Sequence, residues 1–132
     1  MKRPDWQIWF AEFCRQRETV PFAWGTNDCV LFAADCVLAM TGVDHAAQFR
    51  GYTSATHAAR LIKKLGGLEA IVTRALGQPI DLNKVTAGDV VLVNIESGNA
   101  LGIYSGNACL GPGKDGIMAV GRTQIIAAWK VS

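Results

Sequence analysis

The chain has 132 residues, half of them hydrophobic, and thirteen Lys and Arg against eleven Asp and Glu give a net charge of only +2. That length suits a single domain, 1–132, able to bury about two-thirds of its unfolded surface in one core. The scattered, nearly balanced charge leaves no electrostatic footprint for nucleic acid, and with no signal-peptide core and no run of eighteen apolar residues the expectation is a protein made in the cytoplasm with no membrane contact.

Pro4 suits the first turn of a helix, and Trp6, Trp9, Phe10, Phe13 and Cys14 recur at three- and four-residue spacing through Arg17, predicting an amphipathic first helix with an aromatic face. Pro21 and Gly25 bracket a turn. Thr26 or Asn27 then caps a second helix, whose apolar positions (Cys29, Val30, Phe32, Ala33, Cys36, Val37, Met40) go nearly all round it. Such a helix is buried, and Gly42 ends it. Residues 43–52 are irregular, Thr53 or Ser54 opens a third helix through Leu65, and Gly66-Gly67 separates it from a short fourth over 68–76. From about Thr86 the helical period gives way to short runs rich in Val and Ile, predicting strands over 89–94, 100–105, 107–110, 116–120 and 125–131. Ser97-Gly98-Asn99 and Ser105-Gly106-Asn107 are hairpin signals, and Gly111-Pro112-Gly113 begins a wider loop. Helices first and an antiparallel sheet second is an α+β fold.

The chemistry centres on Cys29. A cysteine on the first turn of a helix faces free N–H groups and the positive end of the helix dipole, which favour thiolate and make it a candidate nucleophile. The bland alternative is a small buried hydrophobe, as most free cysteines are. A nucleophilic thiol also needs an imidazole, and the two histidines lie elsewhere: His45 in the irregular segment and His57 inside the third helix, where a solvated or capping role suffices. Asp28 either accepts first-turn N–H groups or orients a base. Cys14, Cys29, Cys36 and Cys109 show neither Cys-x-x-Cys spacing nor a Cys/His cluster for zinc. Cys29 and Cys36, seven apart on one helix, are separated by roughly 10 Å of helical rise, too far for a disulfide. All four read as reduced, and no metal or cofactor is expected. The glycine-rich stretch 111–116 lacks the spacing of a phosphate loop and precedes no helix, so it reads as a hairpin loop.

Taken in order, Trp24-Gly25 before Asp28-Cys29 at a helix start, then Gly88-Asp89-Val90-Val91-Leu92-Val93, then Leu101-Gly102-Ile103-Tyr104, resemble the NlpC-like cysteine peptidases of the papain-like fold. Thr41-Gly42-Val43-Asp44, Phe49-Arg50-Gly51-Tyr52 and Ala128-Trp129-Lys130-Val131 look like a phage-encoded branch of that superfamily, found among tail-tip genes. The resemblance implies a nucleophilic Cys opening a buried helix on a small antiparallel sheet, and a general-base His at the start of the second strand. Here that position is Ala100, and Val30-Leu31 replaces the Ser-Gly that follows the family's Cys. A methyl group cannot accept a proton.

The expectation is therefore an NlpC-type domain without its general base, with Cys29 a vestigial nucleophile and with no histidine nitrogen within reach of its sulfur. Such a domain would serve as a structural or assembly component of a phage tail tip, bound to other tail-tip proteins, in the host cytoplasm during assembly and then in the virion tail. Two surfaces are candidates: Trp6 and Trp9 on the first helix, whose aromatic face otherwise packs on the domain, and a former active-site mouth of Trp24, Asp28, Cys29 and Ala100, expected to face the thiol. The alternative is a working hydrolase of peptidoglycan peptides with Cys29 as nucleophile and a base such as His57.

Overall fold

A computed structural model of the whole chain, residues 1–132, has four helices followed by one five-stranded antiparallel sheet. The helices are α1 (Trp6–Arg17), α2 (Cys29–Thr41), α3 (Ala55–Lys64) and α4 (Leu68–Leu76). The strands are β1 (Val90–Ile95), β2 (Gly98–Tyr104), β3 (Cys109–Gly113), β4 (Gly116–Val120) and β5 (Ile125–Trp129), arranged β4-β3-β2-β1-β5. The α+β order read from the change of hydrophobic period holds.

The all-round apolar helix is the centre of the molecule. Seven of the thirteen residues of α2 are buried, including Phe32, Cys36 and Met40. It packs on one face of the sheet against Leu101 and Ile103 of β2, with Leu92 and Trp129 in the same cluster. A smaller cluster on the other face holds Val91, Val93, Tyr104, Cys109 and Ala128. Successive strand residues point to opposite faces, so β1, buried on both, reads as the unbroken run Val90-Val91-Leu92-Val93. At roughly 1.5–3 kcal/mol for each large apolar side chain removed from water, this double burial sets where the sheet sits.

The structure corrects several boundaries, each for a local reason. The cap of α2 is Asp28, not Thr26 or Asn27, because its carboxylate reaches the Leu31 N–H. Asn27 instead closes the preceding turn: its amide donates to the carbonyls of Val20 and Pro21 and its oxygen accepts from Arg17. Pro4 lies before α1, whose cap position is Asp5. The β1–β2 hairpin turns on Glu96-Ser97, one residue earlier than its Ser-Gly-Asn signal suggests, with Ile95 opposite Gly98. Gly111-Pro112-Gly113 is the end of β3 and not a loop; it pairs with β4 down to Gly113 opposite Gly116, around the two-residue turn Lys114-Asp115. Finally, β5 stops at Trp129, since the Val131 N–H is given to the Asp89 carboxylate.

Candidate active site

The turn before α2 is built around one glycine and one carboxylate. Gly25 has φ of +84°, and a Cβ there would lie 2.1 Å from the Tyr52 carbonyl oxygen, so only glycine lets the turn lie on residue 52. Asp28, 1 % exposed, takes three hydrogen bonds: Leu31 N–H donates to Oδ1 at 3.0 Å, while Gly25 N–H and the Tyr52 hydroxyl donate to Oδ2 at 3.0 and 2.6 Å. Burial, then the adjacent Asp28, hold the Tyr52 phenol far above its ordinary range and therefore neutral. Asp28 is thus a helix cap and a tie to residues 25 and 52. It orients no imidazole.

Cys29 is the first residue of α2, and backbone N–H groups of Leu101, Val30 and Cys29 itself would stabilise its thiolate. The expectation that the helix start lowers its pKa is nevertheless overturned. Burial, reinforced by Asp28, outweighs those N–H groups and pushes the thiol above the ordinary cysteine value. No histidine enters that balance.

The approach of the Leu101 backbone follows from where the pairing of β2 and β3 stops. They pair only at Ile103–Leu110 and Tyr104–Cys109. Tyr104 exchanges backbone bonds with Gly88 and Asp89 on the β1 side, so by antiparallel alternation Leu101 turns its N–H and C=O toward β3. The residue due opposite Leu101 is Pro112, which has no N–H to give. The ladder ends there, which leaves the Leu101 N–H unclaimed by β3 and able to stabilise a Cys29 thiolate. Ala100 shares the cleft but packs with the cluster on the far face, so the group of β2 that meets the thiol is the backbone of its neighbour.

Where the pairing ends, residues of β2, β3 and β4 line a cleft of about 480 Å³ that Cys29, at the start of α2, also lines. Trp24, 43 % exposed and edge-on to Phe22 with ring centroids 4.9 Å apart, forms one lip and Met118 the other. Lys114 is the one charged residue among those lining it, and no histidine is among them. His57, exposed on α3, stands edge-on to Tyr52 with ring centroids 6.2 Å apart; His45 lines a small apolar cavity of about 50 Å³ between α2 and α4. Trp6 and Trp9 lie outside the cleft, on α1. Trp6 is partly buried, with the Lys2 ammonium 4.1 Å from its ring centroid, while Trp9 is 41 % exposed beneath Arg3 and donates its ring N–H to Asp5. Of the sequence candidates, the structure brings Trp24, Cys29 and Ala100 to one cleft, sets Asp28 beneath it as a cap and leaves Trp6 and Trp9 elsewhere. Sequence reading missed Tyr52, Leu101 and Pro112. A proline within a Val- and Gly-rich run before a tight turn was the available signal for the last.

The model of a domain family described as a domain of unknown function, DUF6950, matches residues 1–131. No curated protein matches the chain.

Proposed function

The chain belongs to the DUF6950 family, and from the geometry at Cys29 we propose that it is a catalytically silent, NlpC-like domain of papain type that acts through protein contacts as a component of a phage tail tip. The observation that carries this reading is a thiol at a helix start with no imidazole among the residues lining its cleft. Papain-type hydrolysis needs a base to take the thiol proton and return it to the leaving amine. A protonated thiol with no imidazole in its cleft supplies neither. The ordered Trp-Gly, Asp-Cys and Gly-Asp motifs support inheritance of the frame, and the absent base supports a role by binding.

Two results are expected. Purified protein releases no peptides from peptidoglycan, and Cys29 reacts with iodoacetamide at neutral pH at least about tenfold more slowly than a free cysteine, its rate climbing only at higher pH because the thiol is displaced upward. Digestion that Cys29→Ala abolishes would establish the alternative, a peptidoglycan hydrolase.

For assembly, Trp9→Ala is expected to fold normally and Trp6→Ala to lose stability, since Trp6 packs against the core and on Gly88, where a Cβ would stand 3.0 Å from its ring. Trp9→Ala protein left out of otherwise assembled tails would support contact through α1. Complete tails lacking this protein altogether would refute a tail-tip role.

A further inference from the structure

The small net charge of the chain is unevenly placed. The helices α3 and α4 carry Arg60, Lys63, Lys64 and Arg74 against the single acid Glu69, a net +3 that exceeds the +2 of the whole chain and leaves the remainder net negative. Elsewhere most cations are committed to carboxylates, to main-chain carbonyls or to indole rings, and Arg74 donates to the Leu65 carbonyl. Arg60, Lys63 and Lys64 are exposed and enter no salt bridge. Their spacing puts them on one face of α3, opposite the buried Ala58 and the half-buried Leu61 and Ile62, which pack on the core clusters. Like charges three and four residues apart weaken a helix, and α3 has no acid to offset them. The helix dipole favours Lys63 and Lys64 in the last turn but not Arg60 in the middle. This face works against its own helix and has no partner in the fold, the kind of local conflict that function explains.

We infer that the outer face of α3 docks an acidic helical segment of a partner protein, whose carboxylates, one turn apart, meet Arg60, Lys63 and Lys64. The three cations span one helical turn, roughly 6 Å along the axis, which matches carboxylates three and four residues apart on a partner helix. Opposite charge across the contact selects such a partner and speeds its encounter. Thr56 and Ala59, small and exposed on the same helix, leave room for a second helix to approach. A nucleic-acid strand calls for a longer run of cations tracking its phosphates, with aromatic rings to stack its bases, and α3 has neither. An anionic bilayer calls for large apolar side chains beside the cations, and none is exposed on α3. This inference rests on the reading of the domain as one that acts through protein contacts, and it names the chemistry of a partner.

The probe is an acetylated, amidated alanine peptide with glutamate at every third or fourth position, titrated into the full-length protein and followed through amide chemical shifts. The same peptide with glutamine for glutamate is its comparison. The acidic peptide is expected to shift the amides of residues 56–64, and the glutamine peptide to leave them in place. Raising the salt from about 0.05 M to about 0.5 M should weaken binding at least about tenfold, because exposed charges are screened. Replacing Arg60 and Lys64 together with Glu should abolish the shifts; the pair Arg60→Gln and Lys64→Gln, milder toward the helix dipole, should weaken binding at least about fivefold. The control pair is Lys84→Glu and Lys114→Glu, which changes net charge equally but away from α3 and should bind as the unaltered protein does. No shift at millimolar acidic peptide, an equal loss in the control pair, or tighter binding to duplex DNA or to phosphatidylserine vesicles would overturn the inference. In particles the two readings separate. Protein with Arg60→Glu and Lys64→Glu left out of tails supports docking through α3; its normal incorporation, with exclusion of Trp9→Ala, overturns that docking and leaves the role by protein contacts standing.

Discussion

Replacing Asp28 with Ala is expected to cost about 4 kcal/mol of folding stability, lowering the melting temperature by roughly 15 °C for a domain of this size. The side chain takes bonds from two backbone N–H groups and a phenol while 1 % exposed. A lost cap costs about 1 kcal/mol, and each buried donor left unpaired about 1–3 kcal/mol, with water entry offsetting part of the sum. Asp28→Asn should lose about half as much. Its carbonyl still caps Leu31 and the Tyr52 hydroxyl turns to accept from the amide, but the Gly25 N–H then faces a donor. Equilibrium urea unfolding decides the matter: a loss below about 1 kcal/mol for Asp28→Ala would mean that the carboxylate does not tie the turn to α2.

The second large effect lies at Asp89, the acid of the Gly-Asp motif, which is fully buried. It accepts the Val131 N–H at 3.2 Å, the Thr86 N–H at 3.0 Å and the Lys130 ammonium at 2.8 Å. Asp89→Ala strips the partner from the start of β1 and from the end of the chain after β5, and about 4 kcal/mol of destabilisation is expected. Lys130→Met should cost less than about 1.5 kcal/mol, because the Lys130 side chain is 41 % exposed and the backbone donors remain on the carboxylate. The asymmetry is the test. Equal losses, from denaturation midpoints of the two single variants, would show the ion pair rather than the backbone bonds holding this corner.

Both carboxylates stand in the motifs on which the proposed NlpC-like reading rests, and both serve the frame. Asp28 was legible as a helix-start acid, because a carboxylate three residues before a first-turn N–H has a local use that needs no partner. Its bond to Tyr52, twenty-four residues away, had no local signal. The lone Cys29 was equally legible, and so was the methyl group at Ala100. The direction of the Cys29 pKa was not. Helix-start N–H groups are a local property, whereas burial depends on what β2 and the cleft walls bring up to the sulfur, and burial prevails. The loop assigned to Gly111-Pro112-Gly113 failed because glycine and proline signal turns locally, while β4 supplies a strand partner on the side where Pro112 needs no N–H.

By itself the sequence determined the class and order of the elements. Hydrophobic period is a property of neighbouring residues, and an apolar pattern all round α2 or a glycine at its C-terminus acts through the chain's own geometry. It also determined that no imidazole occupies the Ala100 position. Only the tertiary structure decided what surrounds Cys29, that Trp9 rather than Trp6 remains exposed on α1, and that the pairing of β2 with β3 stops at Ile103–Leu110 beside a cleft. The physical reason is shared: burial, desolvation and the loss of a ladder hydrogen bond are set by groups that meet across many residues of chain, and one-dimensional spacing carries no record of which groups those are.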